Sequence, residues 1–176
     1  MTDAWPSKKE YEAALRNINL RLESLAARAG STMAKARAYL SAGQSNIAGS
    51  STWVKILLDA ESYDPGNNFD PVTNHRFVAP VSGYYHVSAN IGFAYGSVIS
   101  GSMYIAIRVD GTMIGAANCS YSSQVMDFVF GVSDCIYLAA GSYVELYALV
   151  SQAGATADIQ GNSAVTWLAI HLLSGV

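Results

Sequence analysis

An all-β sandwich of two packed sheets, preceded by one long helix, is the fold class this sequence predicts. Three observations carry it. Between Tyr84 and Tyr95, the side chains of Tyr85, Val87, Ala89, Ile91, Phe93 and Tyr95 point one way, and Tyr84, His86, Ser88, Asn90 and Gly92 point the other. A period of two is the pattern of a strand with one face in a core. Later strands are apolar on both faces: Val144, Leu146, Ala148 and Val150 oppose Tyr143, Tyr147 and Leu149, and Leu168, Ile170 and Leu172 oppose Val165, Trp167 and Ala169. A single antiparallel sheet with one wet face does not read this way. Two sheets are expected, with an outer face buried again between subunits. The third observation is a run of three- and four-residue apolar spacings confined to the first 30 residues.

That run begins at Ser7-Lys8-Lys9-Glu10, a capping box in which the Ser7 hydroxyl and Glu10 carboxylate satisfy each other's free backbone donors. Pro6 cannot sit inside a helix and sharpens the start. Tyr11, Leu15, Ile18, Leu22, Leu25 and Ala29 come next at alternating spacings of 4 and 3, and Gly30 is placed to end the helix. A helix over 7–29 would be a rod of roughly 35 Å, marginal alone. With Leu15 and Leu22 at a, and Ile18 and Leu25 at d, the seam favours self-association into three or four strands. The expected domains are a helical anchor, 1–30, and a β domain, 31–176.

Beyond the helix, 36–42 is a candidate strand and 43–52 a loop rich in Gly, Ser and Asn. Further candidate strands are 53–58, 75–79, 84–95, 103–109, 112–119, 125–137, 143–151 and 164–173. Asp110-Gly111 is a two-residue hairpin signal. Residues 153–161 read as a turn region.

The chain has 176 residues, 13% of them charged. That is about half the usual fraction and, with 11 tyrosines, suggests a surface that meets protein rather than water. Residues 1–37 hold 7 of the 10 Lys and Arg against 4 acids; residues 38–176 hold 3 against 9. A β domain so poor in cations has no electrostatic footprint for nucleic acid. The start, MTDAWPSKKEYE, lacks the apolar core of a secretory signal, and no apolar run reaches membrane-spanning length. Cys119 and Cys135 are too few for a disulfide framework and, within strand-like runs, read as buried free thiols.

Catalytic signatures are missing: the sequence has no G-x-S-x-G, P-loop, H-E-x-x-H or C-x-x-C. His75, His86 and His171 lie on three separate candidate strands without ligand spacing and read as polar partners within a sheet. The expectation is a protein that is not an enzyme and holds no cofactor. Asp59, Asp64 and Asp70, with Glu61, Asn67 and Asn68, make the acidic loop 59–70 a calcium candidate, although EF-hand spacing is absent. Tyr95, Tyr104, Tyr121 and Tyr137 are candidates for exposed rings, and loops 96–102, 120–124 and 152–163 for contacts with a host surface component.

The run Phe77-Val78-Ala79-Pro80-Val81-Ser82-Gly83-Tyr84-Tyr85-His86-Val87 resembles the F-x-A-P-x-x-G-x-Y-x-F centre of C1q-like domains, with Val87 where the family has Phe. Tyr63-Asp64 and Asn67-Asn68-Phe69 resemble the loop before it. Leu138-Ala139-Ala140-Gly141-Ser142-Tyr143-Val144-Glu145-Leu146 resembles the family's L-x-x-G-D-x-V-x-L hairpin, with Ser142 for Asp. Trp167-Leu168-Ala169-Ile170-His171-Leu172-Leu173 resembles its closing strand, with Ala169 for Gly. The matches fall in the family's order over about residues 34–173, and no collagen stalk is present. The resemblance implies a ten-stranded C1q/TNF-like jelly roll assembled as a homotrimer. Phe77, Pro80, Gly83, Tyr85, Val87 and Phe93 would be its core signature, and Tyr143, Tyr147, Leu149 and Trp167 its trimer interface.

An N-terminal helix ahead of such a knob also resembles small virion proteins of tailed bacteriophages. By that analogy the chain is a fibre or spike knob, made in the host cytoplasm, docked on a capsid or tail protein through its N-terminal segment and binding a host glycan or protein. A capsid or tail decoration protein that recognises no receptor is one alternative. A soluble bacterial C1q-like module for carbohydrate binding or signalling is the other.

Overall fold

The structure is a computed structural model that describes residues 5–49, 51–94, 100–122, 127–151 and 155–175. Side chains are described for these except 27–32, 46–49, 100, 121, 122, 155 and 156. One helix, α1 (Lys8–Met33), precedes thirteen strands. These are β1 (Lys35–Tyr39), β2 (Gln44–Gly49), β3 (Val54–Lys55), β4 (Ala60–Tyr63), β5 (Phe69–Asp70), β6 (Arg76–Val78), β7 (Gly83–Ala94), β8 (Ser100–Val109), β9 (Thr112–Ser122), β10 (Phe128–Leu138), β11 (Tyr143–Val150), β12 (Ala155–Ile159) and β13 (Trp167–Gly175).

The strands form two sheets. In the seven-stranded sheet β7 is central: β10 lies along one edge, and β13 and β12 share the other. β1 and β4 continue beyond β13, and β2 lies beyond β12. The six-stranded sheet runs β5-β6-β11-β8-β9, with β3 also on β11. Among the described residues, β8 and β9 alone are joined directly as a tight hairpin. Their turn is Asp110 and Gly111, at φ 50° and 81°, the left-handed pair that a two-residue turn requires and Asp-Gly supplies.

Core residues come from alternate positions on both sheets. Tyr85, Val87, Ala89, Ile91 and Phe93 of β7 face Phe77 of β6, Ile105 and Ile107 of β8, and Val144, Leu146 and Ala148 of β11. The rings of Phe77 and Tyr85 meet edge-on at 6.0 Å and tie one sheet to the other. Gly83 is buried where a Cβ would collide with the Ser174 carbonyl oxygen. Of the six signature residues, Pro80 alone is exposed, at the turn before β7.

Five expectations need correction. The helix does not end at Gly30 but runs to Met33, where Ala34 enters the core and its carbonyl accepts from the Leu172 amide at 3.0 Å. Docking of the following strand, rather than a left-handed glycine, ends it. Residues 44–49, expected in a loop, and 155–159, expected in a turn region, are β2 and β12, paired with each other over small and polar residues. β4 rises from the acidic loop to pair with β1, and β5 pairs with β6. The strand expected over 53–58 shortens to β3. Thirteen segments replace the expected ten because several strands are two to five residues long.

The core makes a graded prediction. Phe77 and Tyr85 are both 0% exposed. Phe77→Ala is expected to cost about 3–5 kcal/mol. Tyr85→Phe, which removes only the 2.7 Å bond from the hydroxyl to the Val81 carbonyl, is expected to cost about 1 kcal/mol. Equilibrium denaturation of the two variants measures the ratio, and equal losses would contradict this account of the core.

Candidate functional site

Three surfaces carry side chains the core does not use. The first is α1. Its capping box is formed: the Ser7 amide donates to the Glu10 carboxylate at 2.7 Å and the Glu10 amide to the Ser7 hydroxyl at 3.4 Å. Hydrogen bonds from Ser7 hold the Glu10 carboxyl below its ordinary pKa. Every described side chain from Trp5 to Ala26 is exposed. Tyr11, Leu15, Ile18, Leu22 and Leu25 are 42–59% exposed, so among the described residues these five seam side chains are not buried against the sandwich. The helix is fastened to the sandwich at its end, where Asn68 Nδ2 donates to the Met33 carbonyl at 2.7 Å.

The second surface is the outer face of the seven-stranded sheet. Register sets Cys135, His86, His171 and Lys35 in one row across β10, β7, β13 and β1. His171 Nε2 is 2.6 Å from the Tyr63 hydroxyl. Partial burial, then the nearby His86 and Lys35, lower the His171 pKa. In the next row Tyr84 and Tyr137 meet edge-on at 5.7 Å, each about half exposed (52% and 51%). Trp167 lies on this face beneath the Arg37 guanidinium, 4.9 Å from its ring centre. Arg37 is held by bonds to the Ser62 hydroxyl at 2.7 Å and the Ser163 carbonyl at 2.5 Å.

The third surface is the outer face of the six-stranded sheet. Here Tyr143, Tyr147 and Leu149 come together, but Trp167, expected with them, is on the opposite sheet. Leu149 and Glu145 are only 7% and 6% exposed within the single chain. Side chains of neighbouring strands cover these two within the single chain, whereas Tyr143 and Tyr147 are half-buried. The Arg76 guanidinium lies 4.3 Å from the Tyr143 ring centre, and that of Arg108 lies 4.3 Å from Tyr147 and 5.7 Å from Trp53. Trp53 meets Tyr104 edge-on at 6.2 Å. Beneath them Glu145 accepts from Lys55 Nζ at 2.6 Å and from the Tyr147 hydroxyl at 3.2 Å. Burial first, then the Glu145 charge, raise the Tyr147 hydroxyl pKa. Sequence reasoning misses this cation–aromatic layer, since its members come from four separate segments.

Asp59, Asp64 and Asp70, the calcium candidates, each accept hydrogen bonds from nearby residues. Asp59 accepts from the Ser41 amide and hydroxyl, both at 2.7 Å. One Asp64 oxygen accepts from the Phe69 amide at 2.7 Å, and the other is buried without a partner. Asp70 accepts from the amides of Val72, Thr73 and Asn74, and hydrogen bonding, chiefly from Thr73 and Val72, holds its carboxyl well below the usual range. Among the described residues no three His, Cys, Asp or Glu side chains gather to hold a metal. His75, expected on a strand, instead precedes β6 at φ 47°, and its Nδ1 lies 2.9 Å from the Leu58 carbonyl; Cys135, expected buried, is exposed. Tyr95 and the Tyr121 side chain lie outside the described residues, as do parts of the three expected contact loops. Residues 100–102 and 120–122 belong instead to β8 and β9, and 155–159 to β12.

Both sheet faces can be tested by substitution. Lys55→Met leaves the Glu145 carboxylate buried without its ammonium partner and is expected to cost about 3 kcal/mol. Adding Glu145→Gln should recover most of that loss, and a double variant as unstable as the single would refute the pairing. His171 has a folded pKa below its unfolded one. Its contribution is therefore present above the ordinary histidine range and is lost as pH falls through it. The melting temperature should drop more between neutral pH and pH of about 5 in the wild type than in His171→Gln; parallel curves would contradict the assignment.

No family model and no curated protein sequence matches this chain. Solved structures do. Murine APRIL, at pH 5.0, matches with a TM-score of 0.60 at 11% identity, over 79% of this chain and 98% of that one. Eiger TNF from S. frugiperda matches with a TM-score of 0.57 at 11% identity, over 81% and 93%. The globular domain of zebrafish complement 1qA matches with a TM-score of 0.57 at 11% identity, over 81% and 98%. Likeness at this identity speaks for the fold alone. The chain has the all-β jelly-roll fold of the C1q/TNF type, with one helix ahead of it.

Proposed function

We propose that the protein is a non-enzymatic structural and adhesion module of a phage particle, a homotrimeric knob anchored by its N-terminal segment and displaying the jelly roll toward a host surface. The observation that carries this is the free-standing helix. A 26-residue helix is about 39 Å long and is not stable in water on its own helix propensity when its apolar stripe stays wet. Its seam wants copies of itself. The half-exposed Tyr84 and Tyr137, with Val129 and Leu173 exposed on neighbouring strands, favour subunit contact through the seven-stranded sheet as well.

On this reading residues 1–30 are the anchor, the partner at that end is a capsid or tail protein, and the site of action is the virion. The outward-facing parts of the jelly roll meet a host glycan or protein. Neither calcium nor any other cofactor enters this mechanism. The low charge and the fold also suit a particle-decorating role, which would lack host binding.

Deleting residues 1–30 tests the anchor. The shortened chain is expected to fold, to remain associated through its sheet faces in sedimentation, and to be lost from particles. A shortened chain still incorporated into particles would overturn the anchor role. Whole-cell binding by the intact chain is expected, and its failure would leave decoration in place of attachment.

A further inference from the structure

We propose that the outer face of the six-stranded sheet binds a carboxylate-bearing sugar, with the Arg108 guanidinium as its anchor. The biological setting rests on the attachment reading above; the site itself rests on the placement and bonding of three cations.

Lys55, Arg76 and Arg108 are the only Lys or Arg residues from 38 to 176. The fold brings all three, from β3, β6 and β8, to one face. The other two Lys and Arg residues of 31–176, Lys35 and Arg37, lie on β1 of the seven-stranded sheet, so this face holds three of the five cations of the β domain. Lys55 is committed to Glu145 and to the Asn74 carbonyl. Arg76 rests on Tyr143. Arg108 differs. Directly opposite it in register is Glu145, the carboxylate that could have paired with it, but the Glu145 oxygens are taken by Lys55 and Tyr147. Among the described residues the Arg108 guanidinium donates no hydrogen bond, and its Nε is buried without a partner. Buried polar groups are ordinarily paired, and a guanidinium carries five N–H donors in a fixed fork.

The surroundings define the chemistry of the missing acceptor. A planar carboxylate matches the fork, and the pair is charge-assisted. Trp53, Tyr104 and Tyr147 are half-buried rings beside it, and an aromatic surface with a polar edge suits the faces of a sugar ring. A folded protein partner would need about 800 Å² on this side, whereas the layer's side chains are already half-covered by one another. A small acidic sugar needs only the guanidinium and the adjoining rings.

Calorimetric titration of the intact chain with trigalacturonate is the test, with galactotriose as the neutral counterpart and triglutamate as an acidic compound without a sugar ring. Trigalacturonate is expected to bind, and galactotriose to bind more weakly by about tenfold or more, the value of a charge-assisted pair. Arg108→Lys keeps the charge but loses the fork, and should weaken binding by a similar factor while Arg16→Gln on the helix changes nothing. Should the Arg108 variant fail to fold, the wild type still decides. Its tryptophan fluorescence should respond to trigalacturonate, and the response should vanish in Trp53→Phe. No binding at millimolar trigalacturonate, equal binding of galactotriose, an unaffected Arg108→Lys, or triglutamate binding as tightly as the sugar would each overturn the proposal. Cell binding that persists without trigalacturonate binding sinks this site alone. Trigalacturonate binding without cell binding upholds the site and sinks the attachment reading instead.

Discussion

Pairing along both edges of β7 is the constraint on which the rest of the structure depends. Gly83 to Phe93 pair with Leu138 to Phe128 on one side; Gly83 to Asn90 pair with β13, and Phe93 and Ala94 with β12, on the other. With its backbone taken up laterally, the strand has one remaining choice, which face turns inward. A slip of one residue would exchange Tyr85, Val87, Ala89, Ile91 and Phe93 for Tyr84, His86, Ser88, Asn90 and Gly92. The apolar set wins that choice decisively. Once it is made, Tyr85 meets Phe77 across the core, and register places β6, β10 and β13.

The same register explains the outer face. His86 faces outward because Tyr85 and Val87 face inward, and antiparallel pairing sets Cys135 and His171 beside it. The row is a by-product of the core pattern, yet it brings four titratable groups of the seven-stranded sheet side by side. Electrostatics there are decided by packing several ångströms away.

What can be read in the sequence is local or strictly periodic. The capping box at Ser7 and Glu10, the seam from Tyr11 to Leu25, the alternation of β7 and the Asp110-Gly111 turn each state their geometry within a few residues. Strands whose reason lies far along the chain cannot be read so. β2 and β12 are made of residues such as Gln44, Ser45, Thr156 and Asp158, and become strands because β7 offers β12 an edge and β12 offers one to β2. The doubly apolar β11 is legible as a strand buried on both faces, but its cover is not. That cover is Arg76, Arg108, Trp53 and Tyr104, and sequence gives no sign that these converge. Helix termination escapes sequence reading for a related reason: Gly30 is a local stop signal, whereas Ala34 is fixed by a carbonyl bond to Leu172, far away in sequence.

The cations of the helix and those of the six-stranded sheet do different work, and their difference bears on assembly. On α1 the described Lys and Arg side chains are solvated and flank an apolar seam, so they accompany association without directing it. On the six-stranded sheet the three cations lie against rings and a buried carboxylate, where desolvation makes each contact specific. A surface already roofed in this way has little apolar area left to offer another subunit. The seven-stranded sheet, with Tyr84, Tyr137 and Val129 exposed, has more. β1, which continues from α1, belongs to that same sheet. In the proposed trimer, association through the seven-stranded sheet brings the three β1 strands, and hence the ends of the three helices that share a seam, toward one axis. In that proposed arrangement the cation–aromatic face looks outward, where the proposed ligand would reach it.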